Sequence, residues 1–244
     1  MKLYIVGLGP GGVEQATARA VHALQESDVL AGYHVYIDLI RAQFPDKRVL
    51  TTPMKQEIDR CRMAIEETLA GHTVSMVCSG DAGVYGMAGL IYELAQSYPP
   101  IEIEVISGVT AACSGAAVLG APLIHDFAVI SLSDLLTPWT LIERRLNAAA
   151  EADFVLCLYN PSSKKRADYL QKACDIVLKH RSPQTVCGYV RSIGRAEEHA
   201  EVLTLAELRT TSVDMFTTVY IGNSQTKRIG DKMVTPRGYR LNEF

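Results

Sequence analysis

The chain has 244 residues, a formal net charge of −3 and 48% apolar residues, enough to bury a sizeable core in one large α/β domain or two smaller ones. That balance gives no basic face of the kind nucleic acid requires, and nothing reaches the roughly 18 consecutive apolar residues of a membrane span. Six cysteines at 61, 78, 113, 157, 174 and 187 show no CxxC spacing, so they read as buried free thiols of a cytoplasmic protein, with no metal site.

Taken in chain order, the sequence alternates strand and helix patterns, which predicts mainly parallel sheets covered on both faces. Residues 3–6 form a β-type run and open directly into Gly7-Leu8-Gly9-Pro10-Gly11-Gly12. That start leaves no room for a cleavable leader. A helix is expected over 14–25 and a strand over 29–33. A clearer helix spans 55–70, with Ile58, Ile65 and Leu69 on one face and Gly71 as its stop. Strands follow over 74–77 and 103–106, and a small-residue helix over 111–119. Gly120-Ala121-Pro122 then interrupts the pattern, predicting an N-terminal α/β domain over 1–119 and a C-terminal α/β domain over 120–244. The second half carries strands over 128–132, 154–158 and 185–190, with helices over 141–149 and 164–179. A partly antiparallel extension is expected over 202–205 and 216–222. Two unlike α/β halves with a cofactor cleft between them are the expected architecture, since such clefts commonly hold small molecules.

Ser79-Gly80-Asp81-Ala82-Gly83 is the most informative segment. It follows a buried strand and precedes a helical pattern at 90–95, which places it at the carboxyl edge of a sheet, where open α/β folds bind ligands. Gly80 and Gly83 let a ligand approach the backbone. Asp81 offers an acceptor suited to an amine or hydroxyl and ill suited to a phosphate, or it caps the following helix. The first glycine loop matches a dinucleotide fingerprint. Pro10, however, removes an N–H that a pyrophosphate could use, and the second strand ends in Gly32-Tyr33 without the ribose-binding acid.

Gly7-Leu8-Gly9-Pro10-Gly11, Ser79-Gly80-Asp81-Ala82-Gly83, Ser107-Gly108-Val109-Thr110-Ala111 and Tyr159-Asn160-Pro161 occur in the order seen in the tetrapyrrole (precorrin) methyltransferases, and the chain resembles that family from residue 3 to about 240. Ala121-Pro122-Leu123-Ile124-His125-Asp126-Phe127 and the segment from Ser131 to Trp139, with Thr235-Pro236-Arg237-Gly238-Tyr239, resemble its carbon-17 branch, which acts on precorrin-3B or its cobalt counterpart. The resemblance implies a two-domain tetrapyrrole methylase fold and S-adenosylmethionine as cofactor, leaving as S-adenosylhomocysteine. It implies methylation of carbon 17 with ring contraction, in cobalamin biosynthesis. Cobalt enters only as part of the substrate, with Gly83-Val84-Tyr85-Gly86-Met87 closer to the cobalt-dependent branch, so cobalt-factor III is the expected substrate. It further implies a homodimer.

Carried across by motif, Pro10 would line the tetrapyrrole trough on the cofactor side. Gly80, Asp81, Val84, Tyr85, Thr110 and Ala111 would hold the cofactor, with Tyr159, Asn160 and Gly188 adding the second domain's share. Methyl transfer between a sulfonium and an electron-rich carbon needs alignment more than a nucleophile. Ring contraction needs a proton-transferring group, and His125, Asp126, Ser131, Ser133 and Asp134 are the candidates. His125 reads equally as a structural residue beside Asp126, and Asp134 as a turn cap. The macrocycle's carboxylates call for cationic hooks, for which the basic residues Lys164, Lys165 and Arg166 are candidates.

Overall fold

The computed structural model describes residues 1–163 and 166–239; Lys164 and Lys165 of the basic cluster therefore lie outside the described residues. The chain divides into two compact units, Met1–Ala111 and Ala112–Phe244.

In the first unit, β1 (Leu3–Gly7), β2 (Val29–Tyr33), β3 (Arg48–Thr52), β4 (Val74–Cys78) and β5 (Ile103–Ile106) form one sheet in the order β3-β2-β4-β1-β5. Every pairing in it is parallel. The central strands β1, β2 and β4 are buried on both faces, so they read as continuous apolar runs, whereas the edge strands β3 and β5 are partly exposed. Alternate residues divide between two cores: Leu3 and Ile5 face one, with Ile65 and Ile91, while Tyr4 and Val6 face the other, with Leu24 and Ile37.

The helix expected over 14–25 is two pieces, a 3-10 turn at Val13–Gln15 and then α1 (Ala18–Glu26). The Thr17 hydroxyl caps α1 by accepting the Ala20 N–H at 3.1 Å. The short α2 (His34–Asp38) follows β2. In α3 (Glu57–Leu69) the buried stripe is Arg60, Cys61, Ala64, Ile65 and Thr68. The expected apolar face fails at two of its three positions, because Ile58 is 49% and Leu69 37% exposed. Small residues let α3 lie close to the sheet, and this outweighs the Ile58–Ile65–Leu69 spacing. Next comes α4 (Ala88–Ala95).

Residues Ala111–Leu119 form α5. The sequence places the division after residue 119, whereas the chain splits after Ala111, so nearly all of α5 goes with the second unit. The reason is packing. Tyr220 donates its hydroxyl proton to the Ala112 carbonyl at 3.0 Å, and a Cβ on Gly115 would stand 2.4 Å from that same hydroxyl.

The second unit holds β6 (Gly120–Ala121), β7 (Phe127–Ser131), β8 (Val155–Tyr159), β9 (Val186–Arg191), β10 (His199–Thr204), β11 (Thr217–Ile221), β12 (Lys227–Ile229) and β13 (Lys232–Val234). Its main sheet runs β10-β9-β11-β8-β7, and β12-β13-β6 form a small second sheet. Only β7 and β8 pair in parallel in the main sheet. The antiparallel character expected over 202–205 and 216–222 is present in β10 and β11, but β11 enters between β8 and β9 instead of extending the sheet at its edge, so this sheet is mixed and not mainly parallel. Helices α6 (Trp139–Glu151), α7 (Tyr169–Val177) and α8 (Leu205–Leu208) complete the unit. The helix expected from 164 begins only at Tyr169. Five of the six cysteines are buried, all are free, and Cys113 is exposed. Among the described residues no helix is long and apolar enough to cross a membrane.

Candidate functional site

Adjacent strands β4, β1 and β5 deliver three loops to one carboxyl edge of the first unit. The β1 and β4 loops are bonded to each other: Gly9 N–H donates to the Gly80 carbonyl at 3.0 Å, and Gly80 N–H to the Gly9 carbonyl at 2.7 Å. The β5 loop presses against both, since a Cβ on Gly108 would lie 2.2 Å from the Gly80 carbonyl oxygen and 2.5 Å from that of Gly7. Only glycine permits this approach. Gly9 and Gly80 also take φ of +79° and +65°.

Asp81 fastens the arrangement. One carboxylate oxygen accepts the Gly83 N–H at 2.8 Å and the other the Gly108 N–H at 3.0 Å. Asp81 is thus an organiser of two loops as well as a source of negative charge at the edge. Val84, Tyr85 and Val109 are 38%, 57% and 41% exposed beside it, and Tyr85 holds φ +54°. Thr110 and Ala111 continue the β5 loop into α5. The three loops themselves present backbone groups, apolar side chains and one carboxylate, a lining suited to a neutral or cationic portion of a ligand. The first glycine loop is no phosphate cradle: its Gly9 N–H is already used, and no α-helix opens on it. Pro10 is buried in that loop.

In the second unit the carboxyl ends of β7 and β8 lie side by side, with Ser131 level with Tyr159. The Tyr159 hydroxyl accepts the Ala112 N–H at 2.7 Å, satisfying one of the orphan donors of the α5 start. Asn160 takes φ +52°, which asparagine tolerates better than most residues. Its amide donates to Ser131 Oγ at 3.0 Å, and the same oxygen accepts the Ser133 N–H at 3.2 Å. Arg166 reaches Ser133 Oγ at 2.7 Å and Asp134 Oδ1 at 3.3 Å. Tyr169 donates its hydroxyl to Asp134 Oδ2 at 2.6 Å. This bond, with Arg166 behind it, holds the Asp134 carboxyl below its ordinary range and raises the Tyr169 hydroxyl. Asp134 is therefore an anion that orients its neighbours, and the proton stays on Tyr169 Oη. Tyr169 is the member that sequence reasoning missed; it lies inside the helix expected over 164–179, and nothing in that pattern marks it as a partner of Asp134. The Trp139 ring lies 4.5 Å from the Tyr169 ring, tilted at 51° to it, and packs on the core.

The remaining expected residues fall elsewhere. His125 and Asp126 precede β7 at its amino end, while Ser131 closes the strand and Asp134 follows it. Asp126 and Ser131 are five residue steps, about 16 Å of strand, apart, so the four do not form one acid–base group along that strand. Gly188 sits inside β9, where a Cβ would meet the Leu119 side chain at 2.9 Å, so it packs beneath α5.

A family model described as Tetrapyrrole (Corrin/Porphyrin) Methylases matches residues 2–209. A probable cobalt-factor III C(17)-methyltransferase of Salmonella typhimurium is 47% identical over 240 residues, covering 98% of this chain and 100% of that protein. A precorrin-3B C(17)-methyltransferase of Sinorhizobium is 38% identical over 246 residues, covering 97% and 96%. The crystal structure of the methyltransferase CobJ superposes with a TM-score of 0.86 at 33% identity, covering 96% of this chain and 99% of that one. With glycine loops locked at one sheet edge, and likeness running the length of the chain, this protein belongs to the tetrapyrrole methylase family.

Proposed function

We propose that the chain is an S-adenosylmethionine-dependent C-methyltransferase that methylates carbon 17 of cobalt-factor III and contracts its ring in cobalamin biosynthesis. The observation that carries the cofactor assignment is the Asp81-locked meeting of the β1, β4 and β5 loops, a glycine-lined edge with acidic and apolar character. A bound sulfonium supplies a methyl group that is already electrophilic. The chain's own residues then bind and align. Gly80, Asp81, Val84, Tyr85, Thr110 and Ala111 form the cofactor-binding face at the carboxyl edge of the first unit, with Pro10 buried in the adjoining loop. Alignment with exclusion of water supplies most of the acceleration of such a transfer.

For ring contraction the built group at the end of β7 is the better candidate than His125 and Asp126. Ser131 Oγ accepts two N–H bonds, which polarises its own O–H, and Asp134 with Tyr169 fixes the turn that carries it. The enzyme is further taken to be a cytoplasmic homodimer, which light scattering on the purified protein tests.

Incubation with S-adenosylmethionine and cobalt-factor III, with carbon-13 NMR at carbon 20, is the deciding experiment. Ser131→Ala is expected to accumulate the methylated, uncontracted macrocycle, whereas His125→Ala retains contraction. The reverse pattern would move the proton-transferring role to His125. Failure to recover S-adenosylhomocysteine, or tighter binding of NAD, would sink the cofactor assignment.

A further inference from the structure

Arg60 lies on the first turn of α3 and is only 5% exposed. Its Nε is sealed from solvent and has no hydrogen-bond partner among the described residues. The Glu57 carboxylate is 3.9 Å from its Nη2, beyond hydrogen-bond reach. The Tyr33 ring centre stands 5.8 Å from the guanidinium carbon. Burial pushes the neighbouring thiols of Cys61 and Cys78 up to about 12 and about 11, so neither supplies an anion at neutral pH.

The other buried arginine with an unpartnered Nε, Arg181, is differently placed. Its terminal nitrogens donate to backbone carbonyls, Nη1 to Gly222 at 2.5 Å and Nη2 to Phe154, so it ties strand ends together. Arg60 has no such acceptor among the described residues. Burying a guanidinium without one is costly, and fold stability does not account for keeping it.

The position of Arg60 supplies the reason. Tyr33 closes β2 and Cys78 closes β4, neighbours in the sheet, and the Cys78 thiol senses the charges of both Arg60 and Asp81. The guanidinium thus lies at the same carboxyl edge as the Ser79–Gly83 loop. We propose that Arg60 is the receiving group for a ligand carboxylate, its planar fork meeting two oxygens side by side against the Tyr33 ring. This inference rests on the methyltransferase reading, in which the cofactor carries a carboxylate on its methionine portion and the macrocycle carries several on its rim.

The test uses the full chain with Arg60→Gln and Arg60→Met, melting temperature, and calorimetry with two probes: S-adenosylhomocysteine and uroporphyrin III as an octacarboxylate stand-in. One dissociation constant is expected to rise about tenfold to a hundredfold, with the melting temperature of at least one variant unchanged or higher. If S-adenosylhomocysteine weakens while 5′-methylthioadenosine, which lacks the carboxylate, does not, the cofactor is the source. Weakening of the porphyrin alone assigns the macrocycle. Unchanged constants for both probes, or weakening only in variants that also melt earlier, overturns the inference. A wild-type protein that binds neither probe overturns the methyltransferase reading, and this one with it.

Discussion

Asp81 and Gly108 are joined by a 3.0 Å hydrogen bond from the glycine N–H to Oδ2, and Oδ1 of the same carboxylate holds Gly83 at 2.8 Å. One side chain thus sets the spacing of two loops. Asp81→Ala should cost about 1–3 kcal/mol in urea unfolding and weaken S-adenosylhomocysteine in the same protein. Asp81→Asn, which keeps one acceptor oxygen, should lose less of both. Unaltered stability in Asp81→Ala would show that the loops hold their spacing without the carboxylate.

Two glycines in the same unit should respond in opposite senses to alanine. At Gly108 the added Cβ would meet two backbone carbonyl oxygens at 2.2 and 2.5 Å, which cannot yield as a side-chain tip can. Gly108→Ala is expected to destabilise by about 3 kcal/mol and to abolish cofactor binding. At Gly89, in α4, a Cβ would meet nothing within 4 Å. Gly89→Ala should therefore stabilise by about 0.5–1 kcal/mol through the unfolded chain's lost freedom. Thermal unfolding of the pair checks both signs.

The Asp134 carboxyl sits below its ordinary value of 3.8, first because Tyr169 donates to it and with help from Arg166. A group whose folded value is the lower one stabilises fully above the unfolded value and loses that contribution as pH falls through the folded one. The stability difference between wild type and Asp134→Asn should therefore be flat from about pH 5 to 8 and shrink below about pH 4. A difference that grows on acidification would contradict the assigned anion.

Tyr159 accepts from Ala112 N–H at 2.7 Å and Tyr220 donates to Ala112 O at 3.0 Å, so one residue at the head of α5 is held on both sides. Tyr159→Phe should cost about 1–3 kcal/mol, the penalty of a buried donor left without its acceptor. An unchanged unfolding midpoint in guanidinium would show that another group takes the Ala112 N–H.

The strand ending at Cys78 and its Ser79–Gly83 loop are legible in the sequence, because a run buried on both faces followed by glycines has few other solutions. The glycine loop at residue 7 also sits where expected. Strand β3 is not legible: Arg48–Thr52 is a half-exposed edge strand, with too little apolar character to stand out. Nor is the burial of Arg60, since an arginine on an amphipathic helix reads as its wet side until the sheet beneath is known. The separation of His125 from Ser131 follows from the length of β7, which the sequence does contain. The tie between Asn160 and Ser131, by contrast, needs the parallel register of β7 and β8, which no local pattern specifies.

The placement of β11 has a consequence for how the polypeptide matures. β8 and β9 both hydrogen-bond to β11 and not to each other, so a nascent chain made only as far as residue 216 holds two separate ribbons, β7-β8 and β9-β10, with two inner edges exposed. The first unit needs nothing beyond its own residues to close its sheet. Synthesis therefore passes through a stage in which a finished amino-terminal half is followed by an open, adhesive second half. Premature termination between residues 204 and 217 would leave that open form as the end product, exposed to edge-to-edge association.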